Sequence, residues 1–141
     1  MFGLSVPSIL LGAIAVGAFG VVYFPFLIVA YARYQIGTEA LSAPRAVFDK
    51  LPDYAKRATW AHQNSWEAFA IFTAAALMAY VTKQDSTLAA SAAIAWVIAR
   101  LLFSVFYIAN IPPLRSLMFG VGSICSLTLI GLSLISTMQG T

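Results

Sequence analysis

Charge is scarce in this chain. Asp, Glu, Lys and Arg supply 9% of its 141 residues, against roughly 25% in an ordinary globular domain. So few charges cannot build a water-facing surface, which excludes a conventional soluble domain. Cysteine occurs once, as Cys125, so no intramolecular disulfide can form, and a single cysteine in an apolar run packs as a small hydrophobe. Histidine also occurs once, as His62. With no second His or Cys beside it, no soft-metal ligand set exists, and no metal is expected. Basic and aromatic residues do not interleave, which excludes a nucleic-acid surface. No internal repeat and no low-complexity tract is present, so the repeat architecture typical of transporters is missing.

Apolar sequence is abundant, at 61% of residues. Four stretches carry most of it: about Pro7 to Ala32, Ala58 to Val81, Leu88 to Ala109 and Leu114 to Met138. Each has the roughly 20 residues that a helix needs to cross a bilayer. In lipid the backbone must satisfy its own hydrogen bonds, so the spans are predicted to be helical. The first stretch has no basic residue before it and is too long for the apolar part of a signal peptide. Connections two and three are short, so consecutive spans should be antiparallel neighbours in an all-α, up-down-up-down four-helix bundle, one domain over residues 1–141.

The net charge of +3 is uneven. Arg33, Arg45, Lys50, Lys56 and Arg57 lie between spans one and two, whereas Lys83 is balanced by Asp85 and the tail has no charge. The positive-inside rule then puts the long basic loop 33–57 in the cytoplasm, with both termini on the other side. Pro25 removes a helical hydrogen bond within span one and predicts an irregularity there. Pro112-Pro113 suits a turn that leads into the first helical positions of span four.

Ionisable residues inside spans are costly and mark candidate function. Glu67 lies about ten residues from the loop end of span two, and Arg100 about ten from the same end of span three, so both lie roughly 15 Å from that surface at 1.5 Å per residue. An unpaired charge there would cost several kcal/mol, and an ion pair between Glu67 and Arg100 is expected. Arg57, Asn64 and Glu67 share a helical stripe, at i, i+7 and i+10, with Trp60 on the same face. Arg100, Ser104 and Tyr107 form a second stripe, closed by Asn110, and Arg115 and Ser116 open span four. An arginine at a helix N-terminus favours an anionic ligand or a developing thiolate. His62 falls on the opposite side of its helix, where it is expected to meet a backbone carbonyl or a neighbouring helix.

These residues also carry a resemblance. The segment Arg57-Ala-Thr-Trp-Ala-His-Gln-Asn-Ser-Trp-Glu67 is similar to the span-two signature of the MAPEG proteins, membrane-associated proteins of eicosanoid and glutathione metabolism. Ala99-Arg-Leu-Leu-Phe-Ser-Val-Phe-Tyr107, followed by Ile111-Pro-Pro-Leu-Arg-Ser116, resembles the later signature of that family. The alanine-rich span two and the Pro-x-Leu-Arg-Ser turn resemble small bacterial members whose activity is unassigned.

The resemblance implies a homotrimer in a bacterial inner or thylakoid membrane, with glutathione as co-substrate held between subunits. It implies a transferase or peroxidase acting on lipophilic electrophiles. Arg115 would stabilise the glutathione thiolate, with Ser116 beside the thiol. Asn64, Glu67 and Tyr107 would bind the peptide, Arg100 would support Glu67, and Arg33 would meet a carboxylate from the adjacent subunit. Two positions depart from the family: Trp60 and Gln63 stand where glutathione-using members commonly carry arginine. Those departures favour the alternative, a non-catalytic scaffold that binds a lipid or pigment or serves other membrane proteins in a larger complex.

Overall fold

The computed structural model describes residues 3–140. Among these residues all regular structure is helical. Helix α1 (Val6–Val16) begins at Ser5, whose hydroxyl accepts from the Ser8 amide, with Pro7 in the first turn. It passes through a π-helical turn (Gly17–Val21) into α2 (Tyr23–Ile36). In that turn the Val22 amide reaches back five residues to the Gly17 carbonyl at 3.0 Å. The irregularity expected at Pro25 thus lies just upstream of it, one of the recognised ways a helix absorbs a local mismatch.

Gly37 ends α2 with φ 105°, a backbone conformation that side chains disfavour. The short α3 (Thr38–Ser42) and a 3-10 turn (Phe48–Lys50) follow. The segment after α3 is anchored by Leu51, which packs with Ala32 and Ala55. Helix α4 (Asp53–Val81) comes next, then α5 (Thr87–Ile108), capped by Ser86, and α6 (Pro112–Met138). Asn110, at φ 60°, makes the turn between the last two, and Pro112 and Pro113 occupy the first turn of α6 as their missing N–H groups allow.

Three helical stretches are long and apolar enough to cross a membrane: Val6–Ile36, Thr87–Ile108 and Pro112–Met138. Helix α4 covers the expected second span but is not among them, because Arg57, His62, Asn64 and Glu67 dilute the apolar character of its first half. It packs against each of the other long helices, α1, α2, α5 and α6, while α5 also packs against α1 and α6. The more polar helix is therefore enclosed by helices on several sides. Phe19, Leu27, Ile71 and Leu127 remain exposed on the outside, as a lipid-facing surface permits.

The core is built from small side chains around two large ones. Ala75, Ala76 and Ala79 of α4 and Ala89 and Ala93 of α5 are wholly buried, which lets helix backbones approach closely. Phe72 and Trp96 stack with ring centroids 3.9 Å apart and planes 9° from parallel. Gly17 leaves room for this layer: a Cβ there would lie 3.0 Å from the Phe69 ring and 3.1 Å from Trp96. Cys125 is buried and unbridged.

Candidate functional site

The buried polarity gathers where α4, α5 and α6 meet. Arg100, on α5, is 1% exposed. Two features make room for so large a side chain. Gly122 of α6 lies alongside it, and a Cβ at that position would come within 3.1 Å of Arg100 Cδ. The Phe103 ring, one turn along α5, lies 3.9 Å from the guanidinium carbon and provides a favourable π face.

The expected Glu67–Arg100 ion pair is not formed. Arg100 Nη2 instead donates to Asn64 Oδ1 at 2.6 Å, and among the described residues the ion pair within 4 Å is Lys50–Glu39. Asn64 and Glu67 are separated by less than one helical turn, so both suit the depth of Arg100. Asn64 is half-buried against it, whereas Glu67 is exposed on the single chain. Charge complementarity singled out the carboxylate; the packing of α5 against α4 presents the amide to Arg100 instead. Arg100 Nε is buried and has no hydrogen-bond partner.

Asn64, Glu67, Trp96, Arg100, Phe119 and Ser123 border a cavity of about 280 Å³. It is largely apolar, with one guanidinium, one amide and one carboxylate at its wall. Such a pocket suits a ligand with an oxyanion and an apolar body. Trp96 and Phe119 had no part in the sequence expectation, and Gly122 entered it only among the small residues of span four that let helices approach closely. Their only signal is a position one or two turns from Arg100 or Arg115 on helices whose rotation was unknown.

Tyr107 and Arg115 come together elsewhere. The Arg115 guanidinium lies 4.5 Å over the Tyr107 ring, where α6 begins. Phe103 connects this pair to the cavity, since it meets both the Arg100 guanidinium and the Tyr107 ring, the latter at 5.5 Å. Ser116 is exposed just past the first turn of α6. Ser104 is buried and faces Ser65 at 3.5 Å between hydroxyls. Arg57 Nε donates to the Ile108 carbonyl at 2.9 Å, satisfying one of the acceptors that the end of α5 leaves open.

Arg33 is not part of this assembly within one chain. It lines a separate cleft between α2 and α4 together with Arg45, Trp60 and Gln63. Trp60, expected on the face of Asn64 and Glu67, therefore turns to the other side of α4. His62 behaves as expected, with Nδ1 2.8 Å from the Val22 carbonyl. A carbonyl only accepts, so Nδ1 carries the proton.

The family model that matches this chain is described as the MAPEG family, and it covers residues 10–135. No curated protein and no solved structure matches the chain.

Proposed function

The chain belongs to the MAPEG family, and from that premise we propose that it is a four-span integral membrane enzyme that works as a homotrimer and joins glutathione to lipophilic electrophiles. The single-domain bundle, the cytoplasmic position of loop 33–57 and the outward position of both termini belong to this reading. In the proposed reaction Arg115 holds glutathione sulfur as the thiolate, with Ser116 beside it. The thiol proton passes to solvent, the sulfur forms a bond to an electrophilic carbon, and the leaving group departs with its bonding electrons. Asn64, Glu67 and Tyr107 bind the peptide portion. Arg33 meets a glutathione carboxylate across a subunit boundary, and Arg100 holds Asn64 where the expected salt bridge to Glu67 is not made.

The observation that carries the reading is the Arg115–Tyr107 contact at the start of α6. The stacked ring restrains a half-buried guanidinium at a helix N-terminus, where backbone N–H groups add to its positive potential. A free thiol has a pKa of about 8.5 and is mostly protonated at neutral pH. A guanidinium beside it favours the anion and so raises the concentration of the nucleophile. The orphaned Nε of Arg100 supports a bound oxyanion in the neighbouring cavity. The exposure of Glu67 in mid-helix supports assembly, since a carboxylate facing hydrocarbon is costly and a second copy would cover it.

The decisive experiment measures turnover of a generic aryl halide by the detergent-solubilised protein with glutathione. Arg115→Ala is expected to lower kcat/KM by roughly tenfold or more, the loss that accompanies one charge-assisted contact. Unchanged turnover in that variant removes Arg115 from the mechanism. A parent protein that neither binds glutathione nor turns over the electrophile defeats the enzyme reading.

One observation favours a second reading. Trp60 and Gln63 occupy positions that commonly hold arginine in glutathione-using members, and each good contact to a glutathione carboxylate is worth about 1.5–3 kcal/mol. A non-catalytic scaffold that binds a lipid or pigment, or serves other membrane proteins, accommodates their loss.

A further inference from the structure

The cleft between α2 and α4 lies on the other face of α4 from the cavity described above. It measures about 650 Å³. Arg33 of α2 and Arg45 of the following segment stand at its loop end, with Trp60 and Gln63 opposite on α4. Phe26 and Trp66 line its deeper part. None of its lining side chains is acidic. The carboxylate of Glu39 in the same loop is engaged by Lys50 at 2.6 Å. Arg33 Nε is buried there without a hydrogen-bond partner. The segment carrying Arg45 is held in place by buried Val47 and Leu51.

The order of polarity along the cleft is that of an amphiphile. Phe26 lies about two turns before Arg33 on α2, and Trp66 nearly two turns after Trp60 on α4, which sets each of these aromatics about 10 Å further from the loop than that helix partner. Two guanidiniums at one end suit a phosphate oxyanion. Aromatic walls at the other suit an acyl chain. Trp60 and Trp66 are 44% and 45% exposed, and indoles of this kind favour the boundary between headgroups and hydrocarbon. We infer that this cleft is a binding site for an anionic phospholipid, its phosphate between Arg33 and Arg45 and its chain between Phe26 and Trp66.

This site does not rest on the glutathione reading, although it shares Arg33 with it. Arg45 separates the two, because it has no part in the proposed chemistry and is exposed, so its replacement leaves the fold intact. The full chain is reconstituted in phosphatidylcholine vesicles that contain a minor fraction of brominated phosphatidylglycerol, and tryptophan quenching is read. Brominated phosphatidylcholine in the same fraction is the reference, and Trp66→Phe assigns the quenched indole. The anionic lipid is expected to quench more strongly than the zwitterionic one. Its relative binding constant is expected to fall about fivefold in Arg45→Gln, the contribution of one basic residue at an anionic surface. Equal quenching by the two lipids overturns the proposal, as does an Arg45→Gln variant that keeps the parent preference. Release of the quencher by inorganic phosphate at constant ionic strength would show that the cleft reads a free anion and would overturn the lipid assignment. Retained glutathione binding in Arg45→Gln is expected in either case, so failure of the catalytic reading stays distinguishable.

Discussion

Replacing Asn64 with alanine leaves Arg100 without the hydrogen bond it makes in this structure. Arg100 is 1% exposed and touches Asn64 through a single 2.6 Å bond. Its Nε already lacks a partner, and no carboxylate lies within 4 Å of it among the described residues. A hydrogen bond to an ionised group contributes about 1.5–3 kcal/mol, so Asn64→Ala is expected to lower the unfolding free energy by about that amount. Combination with Arg100→Met in a double-mutant cycle should return a coupling energy of similar size, because the two side chains touch. Glu67→Gln, which breaks no ion pair in the chain, should stay within about 0.5 kcal/mol of the parent. Unfolding in mixed detergent and SDS micelles, followed by near-ultraviolet circular dichroism, reads the parent and all four variants. Trp96, buried beside Arg100 and stacked on Phe72, reports the relevant core. The reasoning fails if Glu67→Gln costs more than Asn64→Ala, since the membrane-embedded protein would then use the carboxylate as the partner of Arg100.

Two further outcomes test the fold. Gly17→Leu should destabilise the protein by about 1–3 kcal/mol, the usual cost of overpacking, because even its Cβ would sit 3.0 Å from Phe69; the same denaturation series measures it, and parental stability would show that the π turn gives way freely. His62→Phe keeps the ring but removes the donor to the Val22 carbonyl, and should cost about 0.5–1.5 kcal/mol with glutathione turnover unchanged. A loss of turnover at parental stability would assign His62 a part in the chemistry.

Much of the fold was legible because its determinants are local. A run of apolar residues of membrane length needs no knowledge of its neighbours, so three helices appear close to the expected stretches. Pro112-Pro113 and Asn110 marked the last turn through backbone constraints that act within a few residues. Helical periodicity put Arg100 and Tyr107 on one stripe, and Phe103 indeed lies between the two side chains. Periodicity was less informative for Trp60, because a residue one turn from Asn64 lies near the edge of the stripe and a modest rotation sends it to the next groove. The π turn at Gly17–Val21 adds a register change that no repeat of 3.6 residues anticipates.

Sequence alone determined the solvent of this protein: too few charges for water, and apolar segments of bilayer length. It also determined which side chains are costly to bury and roughly how deep they lie. Tertiary structure decided whom they meet. Arg100 turns to Asn64 rather than Glu67, and Trp60 turns away from Asn64 to share a cleft with Arg33 and Arg45, since the rotation and crossing of packed helices depend on contacts distant in the chain. Depth follows from counting residues along one helix, whereas partnership requires the angle between two.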